Sequence, residues 1–140
     1  MKNVVITDYS FNDLSIEEEM FHENKIKLSS EKSPNKEALK VLTQNADYII
    51  TQFATLDNEI INNLNKAKII VRYGVGYDNV DIKSARLKNI PVCNVPDYCI
   101  DEVADHTIAF ILNSTRAIYK NHQKVFHGEW GLAVPLEEMK

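Results

Sequence analysis

The sequence is poor in the features that mark secreted, membrane-bound and disulfide-rich proteins. Its two cysteines, Cys93 and Cys99, are too few for a disulfide framework, and their spacing matches no zinc or redox motif. The 140 residues contain no apolar run of roughly 18 residues that could cross a membrane. The first residues lack the long apolar stretch and small-residue cleavage site of a signal peptide. We therefore expect a cytoplasmic protein with free thiols and no membrane partner.

The sequence also lacks a net positive charge and metal-binding patterns. The formal net charge is −4, the isoelectric point is about 5.5 and there is no basic stripe, so nucleic acid is not an expected partner. No two histidines have metal-ligand spacing with a carboxylate, and no metal site is expected. The hydrophobic fraction of 44% is nevertheless enough for a core. The length fits one domain, or one domain with an appendage.

Glycine is also rare, with four in the whole chain. Two of them, Gly74 and Gly76, follow the apolar segment 69–71 and stand beside a positive side chain, Arg72. Glycine lets backbone N–H groups come close to a ligand, and such a loop at a strand end can hold an anion. Two glycines without a complete fingerprint are a weak signal. A strand-to-helix turn without a ligand remains the alternative interpretation.

Short apolar segments alternate with helical patterns over the first 95 or so residues. Strands are expected at 4–6, 26–28, 48–50, 69–71 and 91–95, and helices at 15–22, 34–44, 57–64 and 81–88, with Asp57 as an N-cap. This alternation predicts an α/β fold with a parallel sheet covered by helices on both faces. Five short units suit a flavodoxin-like sheet of order 2-1-3-4-5, whose ligands lie at the carboxyl ends of the strands. The Gly74–Gly76 loop and residues 94–99 fall at that edge.

Two common classes with this architecture do not fit the residues. A receiver domain needs an Asp at the end of strand three and a Lys after strand five, but the chain has Thr51-Gln52 and Pro96-Asp97 there. A flavin phosphate loop needs glycine and small hydroxyl residues after strand one, and the segment 8–12 contains no glycine. Neither phosphorylation nor flavin binding is therefore expected.

The pattern changes at residue 101. Apolar side chains occupy every side of a helix over 103–112, which is typical of a helix that is buried all round. The helix is expected to continue to about residue 126, which makes it roughly 39 Å long. Such a helix would reach beyond a body formed by residues 1–98. His106 lies one turn into it, and a packed structural histidine is favoured over a catalytic one.

Three segments then resemble one family, the D-isomer-specific 2-hydroxyacid dehydrogenases, in the branch around C-terminal-binding-protein-like and phosphoglycerate dehydrogenases. They are residues 72–81 (RYGVGYDNVD), 90–98 (IPVCNVPDY) and 102–107 (EVADHT). The resemblance covers residues 47–130. It implies a substrate-binding domain, 1–98, followed by an interdomain helix and the lead-in to an NAD-binding Rossmann domain, 99–140.

The resemblance also implies roles for individual residues. Val75 and Gly76 would offer backbone N–H groups to the carboxylate of a small 2-hydroxy or 2-keto acid, with Arg72 beside the same anion. Cys99 falls where some members place a polar residue on the substrate side. On the cofactor side, Val103 would lie against the nicotinamide and Thr107 would contact the dinucleotide. Ile100 falls where a hydroxyl cap is common, and Asp101 is expected to replace it.

The resemblance leaves catalysis unassigned. The family's G-x-G-x-x-G loop would follow Lys140 and its catalytic Arg, Glu and His would come later, so no catalytic residue is assigned here. We expect a truncated, inactive chain that binds no cofactor by itself, whereas the full-length enzyme uses NAD or NADP. The apolar residues of the long helix predict a homodimer. A non-enzymatic binding or oligomerisation module on the same scaffold is the alternative function.

Overall fold

The computed structural model describes residues 1–139 and divides into two compact units, Met1–Tyr98 and a second unit beginning at Cys99. The strands of the first unit are β1 (Asn3–Ile6), β2 (Lys27–Ser30), β3 (Tyr48–Thr51), β4 (Ile69–Arg72) and β5 (Val92–Cys93). Its helices are α1 (Ser15–Glu23), α2 (Lys36–Thr43), α3 (Asn58–Asn62) and α4 (Ile82–Leu87). The second unit contains α5 (Ile100–Thr115), α6 (Ile118–Phe126) and a short 3₁₀ helix, Leu136–Glu138.

The five strands form one parallel sheet in the order β2-β1-β3-β4-β5, which confirms the predicted topology. Val5 pairs with Ile49, and Ile49 pairs with Ile70, so three fully buried side chains cross the middle of the sheet. β5 has two residues instead of the expected five. All strands point the same way, so the loops that follow them meet at one edge.

Polar caps set where three helices of the first unit begin. The side chains of Asn35, Asp57 and Asp81 accept hydrogen bonds from the N–H groups of Ala38, Ile60 and Ser84, respectively. The predicted cap at Asp57 is confirmed. α2 begins later than expected because Asn35 is its cap, which leaves Pro34 outside the helix. Each such cap satisfies a backbone donor that the helix itself cannot.

The core of the first unit lies between the sheet and helices α2, α3 and α4. Twelve buried residues form it: Val5, Leu39, Ala46, Ile49, Leu56, Ile60, Ile61, Leu64, Ile70, Val80, Ala85 and Ile90. Charged groups on the helix surfaces add ion pairs, with Lys36 on Asp57 and Glu59 and with Lys40 on Glu59. This packing holds the strand ends in fixed positions.

The second unit corrects the prediction of one helix over 101–126. The helix is broken at Arg116–Ala117, where Ala117 has a left-handed φ of 50°. The preceding residues favour this break because their side chains bind backbone groups: Asn113 accepts from the N–H of Tyr119, and Thr115 donates to the carbonyl of Ile111. α5 is therefore about 24 Å long.

Burial and capping of α5 also differ from expectation. None of its residues is buried, and Val103, Ile108, Phe110, Ile111 and Leu112 are each at least 51% exposed. Cys99 occupies the N-cap without a side-chain bond to the helix, so Asp101 lies in the first turn instead of replacing the cap. Its carboxylate and that of Glu102 still favour the helix start electrostatically. Within residues 1–139, no helix is long and apolar enough to cross a membrane.

Candidate functional site

The glycine loop lies at the carboxyl edge of the sheet, immediately after β4. Gly74 is buried, whereas Val75 and Gly76 are exposed. The N–H of Tyr73 donates to the carbonyl of Thr51 at the end of β3, with an N···O distance of 2.8 Å. After Tyr73 the chain no longer pairs with β3. The backbone of Val75 and Gly76 therefore lies at the sheet edge where ligands bind in open α/β folds.

Two carbonyl groups of this loop, those of Gly74 and Val75, accept hydrogen bonds from the segment that follows β5. The N–H of Val95 donates to the carbonyl of Gly74 at 3.0 Å, and Asn94 Nδ2 donates to the carbonyl of Val75 at 2.7 Å. The N–H groups of Val75 and Gly76 donate to no acceptor among the described residues. We call residues 74–76 the anion loop, because two successive N–H groups without an acceptor in residues 1–139 are free to donate to a negatively charged ligand.

Arg72 packs directly against the anion loop. A Cβ atom at Gly74 would lie 1.7 Å from Arg72 Nη1 and 2.9 Å from Cζ, so the guanidinium occupies the space that a side chain would fill. The guanidinium also lies over the ring of Phe53, 5.8 Å from its centroid. Arg72 Nε is buried and has no hydrogen-bond partner within residues 1–139. Arg72 therefore places a positive charge and an unused hydrogen-bond donor beside the loop.

A buried carboxylate, Asp8, fixes the neighbouring loop after β3. Its oxygens accept from the N–H groups of Gln52 at 3.0 Å and Phe53 at 2.7 Å, and from the hydroxyl of Thr7 at 2.8 Å. Burial by itself raises the pKa of Asp8, but these hydrogen bonds outweigh it and hold the pKa below its usual range. Asp8 thus remains charged while holding Phe53, on which Arg72 rests.

Tyr73 joins the same edge to α1. Its hydroxyl donates to Glu17 Oε1 at 2.8 Å, and its ring meets Phe11 edge to face with 5.5 Å between centroids. Burial and the adjacent carboxylate of Glu17 raise the pKa of Tyr73 well above its usual range. The hydroxyl therefore stays protonated, and its hydrogen bond to Glu17 ties the start of the loop to α1.

The remaining predicted site residues belong to the second unit. Cys99 is a half-exposed free thiol at the start of α5. Val103 is 58% exposed, and the hydroxyl of Thr107 donates to its carbonyl at 2.7 Å. The ring of His106 packs against Phe110, with 4.5 Å between centroids. Among the described residues, no group of three His, Cys, Asp or Glu side chains could hold a metal ion.

Sequence reasoning did not assign roles to Asp8, Phe53 or Asn94. Asp8 lies two residues after the first apolar strand, and Asn94 follows directly after the observed β5, so a polar residue near a strand end was the available signal for these two. An open cavity of about 550 Å³ lies beside β5 and includes Tyr77, Arg86 and Asn94 in its lining. The predicted residues Arg72, Val75 and Gly76 do not line it, so the candidate site is an open edge rather than this cavity.

Comparisons with known proteins identify the family of this chain. Residues 4–129 match the family described as D-isomer specific 2-hydroxyacid dehydrogenase, catalytic domain. A glyoxylate reductase from Pyrococcus horikoshii is 36% identical over 101 residues, which are 71% of this chain and 30% of that protein. The chain therefore spans less than a third of the length of this curated relative.

Solved structures give the same result. The crystal structure of NAD⁺-bound 3-phosphoglycerate dehydrogenase from Entamoeba histolytica is 32% identical, with a TM-score of 0.70, covering 83% of this chain and 39% of that one. An NAD-dependent formate dehydrogenase from Staphylococcus aureus, solved with NAD, is 26% identical, with a TM-score of 0.80, covering 95% of this chain and 44% of that one. With the family match over most of its residues, the chain belongs to the D-isomer-specific 2-hydroxyacid dehydrogenase family.

Proposed function

We propose that this chain forms the substrate-binding part of an NAD(P)-dependent oxidoreductase that transfers hydride between nicotinamide and a D-2-hydroxy acid. The observation that carries the proposal is the pair of N–H groups at Val75 and Gly76, which have no acceptor in the part of the chain that the structure describes, with the guanidinium of Arg72 beside them. A carboxylate is the charged group that a 2-hydroxy and a 2-keto acid share. The similarity to a glyoxylate reductase supports this substrate class.

The anion loop would act by positioning. Two N–H groups can each donate to a carboxylate oxygen, and such charge-assisted bonds are shorter and stronger than neutral ones. Arg72 adds a positive charge beside these N–H groups, on a planar guanidinium whose geometry matches that of a carboxylate. Fixing the carboxylate fixes the adjacent C2 atom, so the loop contributes orientation rather than proton transfer.

The residues of α5 suit one edge of a nicotinamide cofactor. The hydroxyl of Thr107 donates its proton to the carbonyl of Val103, so it has only lone pairs left to offer a ligand. Such an acceptor fits an amide N–H donor, and the exposed side chain of Val103 fits an apolar ring face. NAD or NADP would accept or supply the hydride when bound. The 140 residues contain no G-x-G-x-x-G loop for its pyrophosphate.

Residues 1–98 would be the substrate domain, and residues 99–140 the interdomain helix with the lead-in to a Rossmann domain. Cys99 would lie on the substrate side of the site. Its thiol is a weaker hydrogen-bond donor than a hydroxyl or an amide, so any contact to substrate there would contribute less than the anion loop.

We expect a polypeptide of these 140 residues to bind a 2-oxo acid analogue without turning over substrate. No acid–base group for hydride transfer is assigned among its residues, and positioning alone does not replace general acid–base catalysis. NADH formation is measured with NAD and a panel of D-2-hydroxy acids, with a family dehydrogenase as the positive control. Saturable NADH formation by the purified polypeptide would contradict this expectation.

We also expect the polypeptide to form a homodimer through α5. Its apolar side chains are about half exposed, so burying each of them fully would contribute about 1–1.5 kcal/mol more, and a face of this kind favours association. Light scattering at tens of micromolar should give a dimer mass that Phe110→Glu returns to the monomer. Val41→Glu, on the exposed side of α2, is the matched control and should leave the dimer intact.

A monomeric mass for the unaltered polypeptide, or a dimer that Phe110→Glu leaves unchanged, would overturn the proposed interface. The exposed face also supports the second candidate function, a non-enzymatic oligomerisation module. Carboxylate binding at the anion loop separates the two functions, because a module of that kind needs no anion site.

A further inference from the structure

We propose that Asn94 is a positioning residue that aims the N–H of Gly76 at the substrate carboxylate. This inference rests on the proposed function and deepens it, because it assigns the residue that gives the anion loop its geometry. It is carried by the hydrogen bond of 2.7 Å from Asn94 Nδ2 to the carbonyl of Val75.

Peptide planarity links that bond to the anion site. In a trans peptide the C=O of one residue and the N–H of the next point in opposite directions across one rigid plane. The carbonyl of Val75 and the N–H of Gly76 belong to one such plane. Holding the carbonyl toward Asn94 therefore turns the N–H of Gly76 away from Asn94, to the open side of the loop.

The neighbouring plane is held in the same way, but by the backbone. The N–H of Val95 binds the carbonyl of Gly74, which directs the N–H of Val75 away from the β5 segment. The two N–H groups of the anion loop thus have separate anchors, one a side chain and one a main-chain group. A substitution at Asn94 removes the first anchor and leaves the second.

Within the described residues, no other group holds the peptide between Val75 and Gly76 in place of Asn94. Gly76 makes no hydrogen bond of its own there, and the next hydrogen bond along the loop is the one that the carbonyl of Tyr77 accepts from the N–H of Val80. Glycine adds no side chain to restrict the backbone at this point. Donation from an amide to the Val75 carbonyl also polarises the peptide and makes the Gly76 N–H a better donor.

The test is an amide-resolved NMR titration of the 140-residue polypeptide with oxamate, an analogue of a 2-oxo acid. Asn94→Ala removes the anchor, and Asn94→Asp places an acceptor where the donor stood. Both should weaken oxamate binding about tenfold, the effect expected for a lost hydrogen bond to a charged ligand. Both should also suppress the response of the Gly76 amide while the Val75 amide still responds.

Asn65→Ala is the matched control, since it also removes a side-chain amide donor, the one that binds Asn45 Oδ1, on an exposed surface of the same unit. It should bind oxamate like the unaltered polypeptide. General destabilisation would weaken both amide responses together and would overturn the inference. A full Gly76 response in Asn94→Ala overturns this inference alone, whereas absence of any response at both amides of the unaltered polypeptide overturns the proposed function and this inference with it.

Discussion

Gly74→Ala is expected to lower the free energy of unfolding by about 1–3 kcal/mol, the cost of holding a residue with a side chain in a disfavoured backbone region. Gly74 has a φ of +142°, which L residues rarely adopt. The new methyl group would also lie 1.7 Å from Arg72 Nη1. The end of a long side chain moves more easily than the backbone, so the guanidinium should leave the anion loop. Urea unfolding measures the first effect, and oxamate binding measures the second.

Substitutions at two other glycines are controls that separate backbone strain from the steric clash with Arg72. Gly128 also has a positive φ, +77°, but a Cβ there would meet no atom within 4 Å, so Gly128→Ala should lower stability without changing oxamate binding. Gly76→Ala adds a methyl group whose nearest neighbour, Asp78 Oδ2, is 3.8 Å away, and should leave stability nearly unchanged. Unaltered oxamate affinity in Gly74→Ala would show that Arg72 does not need its present position.

Asp8→Asn is expected to lower the free energy of unfolding by about 2–3 kcal/mol at neutral pH, since hydrogen bonds to a charged group are strong and a buried donor left without an acceptor is costly. The asparagine amide can accept at one oxygen only, whereas Asp8 uses both oxygens to accept from Gln52 and Phe53. One of these two N–H groups would then face an NH₂ group. Chemical denaturation followed by circular dichroism gives the difference.

The effect of Asp8→Asn on the free energy of unfolding should depend on pH. The folded protein holds the pKa of Asp8 below its unfolded value, so the stabilisation is complete above the unfolded pKa of about 3.9 and is lost as the pH falls through the folded pKa. The stability difference between the two proteins should therefore shrink below about pH 4. Asp13→Asn is the control at an exposed carboxylate: both bonds from Ser15 go to one oxygen, Oδ1, which an asparagine keeps, so stability at neutral pH should change much less than in Asp8→Asn. A stability difference for Asp8→Asn that stays constant down to strongly acidic pH would contradict this assignment.

Local patterns were enough to predict the sheet and its strand order. Apolar runs such as those around Val5, Ile49 and Ile70 alternate with short helical segments, and short connections leave few topologies open. The cap at Asp57 could also be predicted, because its partner is three residues away. The position of Val75 and Gly76 at the carboxyl edge follows directly from that order.

The contacts that support the anion loop, and the break and exposure of α5, depend on interactions that no local sequence pattern encodes. The bonds of Asp8 to the loop after β3 span 44 and 45 residues, and the bond of Asn94 to Val75 spans 19. The break after α5 was not predicted because a polar segment after Asn113 is compatible with a continuing helix and does not reveal that the Asn113 and Thr115 side chains bind backbone groups. The burial expected for α5 was wrong because its apolar residues have too few packing partners within the described chain.

An oxamate titration of the unaltered polypeptide, read amide by amide, tests the central claim that this chain holds the carboxylate of a 2-hydroxy or 2-keto acid. We expect the largest amide shifts at Val75 and Gly76, saturating with one affinity, together with a shift of the Arg72 guanidinium. Saturating shifts confined to the residues beside β5, such as Tyr77, Arg86 and Asn94, or no shift in the anion loop, would contradict the claim.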